Sequence, residues 1–151
     1  MHQALSVWPR TVPLTICGKV ESEAYENELL AIISSRNLKV TVDSSFLGDS
    51  ELENLLLETT HVFLPHEANT MISSGSFYHA ISYGCNILAT NSEFSKHKSL
   101  VHDFISINDL QDLSLTELQR NFRHRKEVIS ESLQYYSRRK LRESWDLRLN
   151  K

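Results

Sequence analysis

The sequence predicts an α/β fold: a Rossmann-like parallel sheet with helices on both faces, ending in a long C-terminal helix. Three observations carry this expectation. Five short, apolar, β-prone runs alternate with stretches of helical periodicity. The connections between those runs are long enough for crossovers between parallel strands. The 151 residues are 40% hydrophobic, with no internal repeat and no Gly/Ser linker, so a single domain spanning 1–151 with one core is expected.

Taken in order, residues 2–9 read as a short helix stopped by Pro9. Val12-Pro-Leu-Thr-Ile-Cys17 reads as a buried strand, closed by a tight turn at Gly18-Lys19. Glu21 to Ser35 is helical, with Tyr25, Leu29, Ile32 and Ile33 inward and Glu21, Glu23, Glu26 and Glu28 outward. The early acids suit the positive end of the helix dipole. Leu38 to Val42 alternates as a strand, and Asp43 to Gly48 is the loop after it. A helix then runs to Glu58 from a cap at Asp49 or Ser50, with Leu52, Leu55 and Leu56 inward. Ser50 and Glu53 have the spacing of a capping box.

His61-Val-Phe-Leu-Pro65 is the next strand, followed by a loop to Thr70. Four small residues, Ser73, Ser74, Gly75 and Ser76, then precede an amphipathic run in which Phe77, Ala80, Ile81 and Gly84 fall on one helical face. Gly84 is placed to stop that helix, and Asn86 to Thr90 forms a short strand. In an open α/β sheet, such a helix start directs N–H groups at the ligand crevice and suits an anionic group such as phosphate. Residues 91–100 are polar and read as a loop with one turn of helix. His102 to Ile107 is the last strand, and 116–149 is a basic helical segment, bent or broken near 130–137.

Composition narrows the setting. No run of 18 apolar residues exists, and Pro9, Arg10 and Pro13 interrupt any signal-like stretch at the start, so a soluble cytoplasmic protein is expected. Cys17 and Cys85 sit beside strands and read as buried thiols of a reducing compartment. The net charge of -3 conceals an asymmetry: from Arg120 onward, ten bases face four acids. That basic helix reads first as a solvated face docked on an acidic body. Contact with anionic lipid headgroups at the inner face of a membrane is the second reading, and nucleic acid is not expected. Among the seven histidines, His61, His66 and His79 lack metal-ligand spacing, so no metal site is expected.

The order of parts resembles the C-terminal, nucleotide-sugar-binding domain of GT-B-fold glycosyltransferases of the group 1 type. The residues that carry the resemblance are Phe46-Leu-Gly48, Glu51-Leu-Glu-Asn-Leu-Leu56, Val62-Phe-Leu-Pro65 and the run from Gly75 through Gly84 to Thr90. The match covers about residues 12–107, and its most specific part is Phe77 to Thr90. The resemblance implies that the donor base lies near Phe46, Leu47 and Gly48. It places the diphosphate at Ser73, Ser74, Gly75 and Ser76, and sets His79 where the family has a ribose-binding glutamate. The implied ligand is a nucleotide-diphosphate sugar, bound as donor substrate without a metal or other cofactor.

The departures are specific. The family's two glutamates, eight positions apart, fall here on Met71 and His79; a neutral imidazole still offers a ribose hydroxyl one donor and one acceptor. Glu67 is the alternative to the first glutamate, from a folded-back loop. The family's opening strand with its glycine-arginine pair and lysine has no counterpart; Lys19, after the first visible strand, reads first as a plain turn lysine and second as a phosphate contact, and the acceptor-binding domain is missing. The resemblance therefore implies the donor-binding part of an enzyme of polysaccharide or glycolipid synthesis, inactive alone, whose partner would be an acceptor-binding domain or chain. The rival is a non-catalytic partner module or degenerate remnant. A sugar-phosphate loop of an isomerase-like domain is a third reading, poorly matched by Tyr83 to Thr90.

Overall fold

Local chemistry fixes most elements of the computed structural model, which describes residues 1–65, 75–107 and 113–139. The chain opens with α1 (His2–Val7), β1 (Leu14–Cys17), α2 (Glu23–Arg36) and β2 (Val40–Asp43). Ser22 caps α2 by accepting from the Tyr25 N–H at 3.2 Å, with Glu23 and Glu26 in the first turn and Arg36 in the last. Asn37 ends it in the left-handed conformation at φ 52°, a position that asparagine tolerates better than most residues.

Next come α3 (Asp49–Glu58), β3 (His61–Leu64), α4 (Gly75–Ser82) and β4 (Asn86–Ala89). The cap of α3 differs from the expected Ser50–Glu53 box: Gly48 is the N-cap, and its N–H donates to Glu51 Oε2 at 2.8 Å. The shift arises because Asp49 and Ser50 already have helical backbone, so the reciprocal carboxylate is the one three residues beyond Gly48. Gly84 follows α4 at φ +75°, as expected of a helix stop.

The chain continues through α5 (Glu93–Ser99), β5 (Ile105–Ile107), α6 (Leu115–Arg120) and α7 (Arg125–Tyr136). Residues 91–100 hold more helix than their polarity suggested, because Ser92 and Ser95 cap α5 reciprocally. The long C-terminal helix is likewise corrected. Two short helices, α6 and α7, stand in its place, and residues 140–151 lie outside the described part. The break comes from Asn86, whose Oδ1 accepts from the Arg123 N–H at 2.9 Å while its Nδ2 donates to the Arg123 carbonyl at 3.0 Å. Both backbone groups of Arg123 are thereby withdrawn from a continuous helical ladder.

Among the described residues every strand pair is parallel, but the strands form two sheets where one was expected. β1 pairs with β2, Leu14 opposite Val40, and β3-β4-β5 form the second sheet, with His61 opposite Asn86. Two hydrophobic clusters follow the alternation of the strands. Leu14, Ile16, Val40, Phe63 and Leu88 pack with Leu5, Trp8 and Leu29 of the α1–α2 side. Val62, Leu64, Ile87 and Ala89 pack with Leu56, Phe77, Ala80, Ile81 and Val128 from α3, α4 and α7. Phe77 is 1% exposed, and burial of such a ring contributes about 1.5–3 kcal/mol. The expectation of a fully buried first strand fails: Thr15 and Cys17 are exposed, while Leu14 and Ile16 on the other face are half-buried against α1 and α2. Cys85 is buried as expected. No helix among the described residues is long and apolar enough to cross a membrane.

Candidate functional site

A cavity of about 850 Å³ opens between the two sheets. β1 and β3 form its long sides, α3 and α4 contribute Leu52, Leu55, Leu56 and Ala80, and Trp8 and Val12 close the opposite wall. A volume of this size lies within the range of ligand-binding clefts.

The structure brings only some of the predicted residues to this crevice. Ser76 and His79 both line it, one helical turn apart on α4. The His79 ring lies edge-on to Tyr83, with centroids 5.4 Å apart. Gly75 is the first described residue of the helix, and among the described residues a Cβ built there meets nothing within 4 Å. Ser73 and Ser74, together with Met71 and Glu67, lie outside the described residues. Phe46, Leu47 and Gly48 do not line the crevice; they belong to the loop after β2. Phe46 is 85% exposed, so its ring is uncommitted to the core. Ser45 steadies that loop by donating to Asp43 Oδ1 from both N–H (3.0 Å) and Oγ (2.6 Å), bonds that hold the Asp43 carboxyl below its usual range.

The titrating groups in the crevice favour binding over covalent chemistry. Burial pushes the His61 imidazole down, partly offset by a hydrogen bond to the Leu118 carbonyl, so the ring is held toward its neutral form. Cys17 is exposed overall but lines the crevice, and partial desolvation there, then the Asp43 carboxylate, push its thiol upward, which disfavours the nucleophilic thiolate. Ser76 and His79 can supply hydroxyl and imidazole hydrogen bonds to a ligand.

A second polar cluster, which sequence reasoning missed, ties α4, α5 and α7 together. His102, its side chain fully buried, is bonded through Nδ1 to Glu131 Oε1 and through Nε2 to the Tyr136 hydroxyl, both at 2.7 Å. Lys98 Nζ donates to the hydroxyls of Tyr136 (3.0 Å) and Tyr78 (3.1 Å), and lies 4.7–5.6 Å from the ring centroids of Phe77, Tyr78, Phe94 and Tyr136. Burial pushes the Lys98 ammonium down, but the two tyrosine hydrogen bonds outweigh it and leave its pKa raised. No local motif in the sequence marks these residues, which come from separate elements.

One basic residue also has a docking role. The Arg125 guanidinium donates to the carbonyls of Leu57 (2.8 Å), Thr59 (2.9 Å) and Tyr83. It thereby neutralises the negative ends of α3 and α4 together. Comparison of the chain with family models, curated proteins and solved structures found no match.

Proposed function

We propose that this chain is the nucleotide-diphosphate-sugar-binding part of a glycosyltransferase that moves a sugar onto a polysaccharide or glycolipid acceptor, and that it is inactive as a transferase alone. The observation that carries the reading is the start of α4: Gly75, with no described atom against its Cβ position, followed by Ser76 and His79, one turn apart on the crevice wall. A diphosphate at this end would gain from the helix dipole and from N–H and hydroxyl donors. The same donors would stabilise the charge that develops on the leaving diphosphate, which is where electrostatic catalysis acts in such a transfer. Neutral His79 is assigned to a ribose hydroxyl, and exposed Phe46 to the face of the base. In this reading the two sheets are parts of one Rossmann-like layer, and the acceptor site belongs to another domain or chain.

Calorimetry with uridine and guanosine diphosphates tests the proposal. Binding in the micromolar to millimolar range is expected, weakened about three- to tenfold by His79→Phe, the loss of about one hydrogen bond. Absence of binding by either nucleotide at millimolar concentration sinks the reading. The open crevice between the sheets favours a second reading, a non-catalytic partner module, which predicts co-purification of a second chain without nucleotide affinity. A cytoplasmic location at an anionic membrane face is proposed from the basic C-terminal segment. Sedimentation with phosphatidylserine vesicles that falls away at high salt tests it, and salt-insensitive or absent binding rejects it.

A further inference from the structure

The crevice has a feature that a nucleotide pocket does not need: its long sides are the edges of strands, not their faces. A strand presenting its face to a cavity contributes alternate residues. Here four consecutive residues of β1, Leu14–Cys17, and three consecutive residues of β3, 61–63, with Thr60 just before them, all reach it.

The hydrogen bonds fix which backbone groups point inward. Leu14 and Gly18 donate to the carbonyls of Lys39 and Asp43, both at 3.0 Å, so the even positions of β1 face β2. By alternation, the N–H and C=O groups of Thr15 and Cys17 face the crevice. On β3, the carbonyls of Thr60 and Leu64 accept from Asn86 and Thr90, at 2.9 and 3.3 Å, so Thr60, Val62 and Leu64 face β4. The N–H and C=O groups of His61 and Phe63 therefore face the crevice from the other side. Among the described residues, no backbone ladder joins β1 to β3.

We propose that this crevice is a strand-acceptor slot: it takes an extended polypeptide segment from a partner chain, which pairs with β1 and β3 together and joins the two sheets into one. The complementarity is one of partial charge. Each open edge offers alternating N–H and C=O groups, and only another extended backbone satisfies both edges at once. The walls set the chemistry of the segment. Trp8 and Val12 on one side and Leu52, Leu55 and Ala80 on the other favour a mainly apolar segment of about four to six residues, with Ser76 and His79 able to meet a polar side chain at the α4 end. The inference stands on strand edges alone and does not require the donor-site reading.

Amide exchange followed by nuclear magnetic resonance tests it, with a synthetic peptide (Val-Ile-Val-Leu-Val between terminal lysines) as the probe. In the chain alone, the amides of Thr15, Cys17, His61 and Phe63 are expected to exchange far faster than those of Ile16 and Val62, which face paired strands. The peptide should slow the four by about tenfold or more, and a proline-interrupted version, lacking the donors, should not. Thr15→Pro removes only a crevice-facing donor, so the variant should stay folded and lose the peptide effect. Three results would overturn the proposal: the four amides already protected in the free chain, no peptide protection at millimolar concentration, or equal protection by the proline-interrupted peptide. Protection by uridine diphosphate but not by the peptide also overturns it while leaving the donor site standing; the reverse result separates the two the other way.

Discussion

A set of three glycine-to-alanine substitutions separates backbone strain from steric conflict at the α4–α7 junction. At Gly84, φ is +75°, and a Cβ would sit 2.4 Å from Arg125 Cγ and 2.6 Å from the Arg125 carbonyl oxygen. The carbonyl is backbone and cannot move aside, and Cγ is the near end of a side chain whose guanidinium is held by three carbonyls. The left-handed conformation costs about 1–2 kcal/mol for a residue with a Cβ, and forcing apart a packed contact adds about 1–3 kcal/mol. Gly84→Ala should therefore destabilise by about 2–5 kcal/mol, a fall in Tm of roughly 5–15 °C at this chain length. Gly18 also has positive φ, at +119°, but nothing lies within 4 Å of its Cβ position, so Gly18→Ala should show the strain alone, about 1–2 kcal/mol. Gly75→Ala has neither penalty and should lie between neutral and about 1 kcal/mol stabilising, from helix propensity. Urea denaturation with unchanged m-values is the assay. If Gly84→Ala costs no more than Gly18→Ala, the close approach of Arg125 to the end of α4 does not exist, and the docking of α7 is wrong.

Two further substitutions probe the polar core and the crevice. Asn86 is 2% exposed and serves the Thr60 carbonyl as well as both backbone groups of Arg123, so Asn86→Ala should cost about 2–4 kcal/mol by chemical denaturation; a loss under 1 kcal/mol would mean that water replaces it freely. His61 has a folded-state pKa depressed below its usual 6.5, so the unfolded chain binds more protons. Its contribution is fully present above that value and is lost as pH falls through it. The fall in Tm between about pH 7 and about pH 5 should accordingly be shallower in His61→Phe than in the parent chain. An unchanged slope would place the imidazole in bulk water.

Much of the local structure was legible in the residues. The spacing of Phe77, Ala80 and Ile81 marks the buried face of α4, and the same periodicity places Ser76 and His79 on another side, where both reach the crevice. Gly84 marks the end of that helix, and Tyr25, Leu29, Ile32 and Ile33 mark the inner face of α2. The Lys98–His102–Glu131–Tyr136 cluster was not legible, because its members come from separate elements and each has an ordinary local role. The same holds for Asn86, whose grip on Arg123 from 37 positions away breaks the C-terminal helix. Cys17 has the apolar neighbours of a core residue, yet it is exposed, because burial depends on what covers a strand.

The sequence by itself determined the order of the helices and strands from β1 to β4 and the apolar faces of α2 and α4, since periodicity, caps and glycine stops act over a few residues. Tertiary structure alone decided which strand edges meet. A strand carries the same N–H and C=O groups on both edges whatever its side chains are, so nothing in Leu14–Cys17 or His61–Leu64 announces that two of those edges face each other across an open slot.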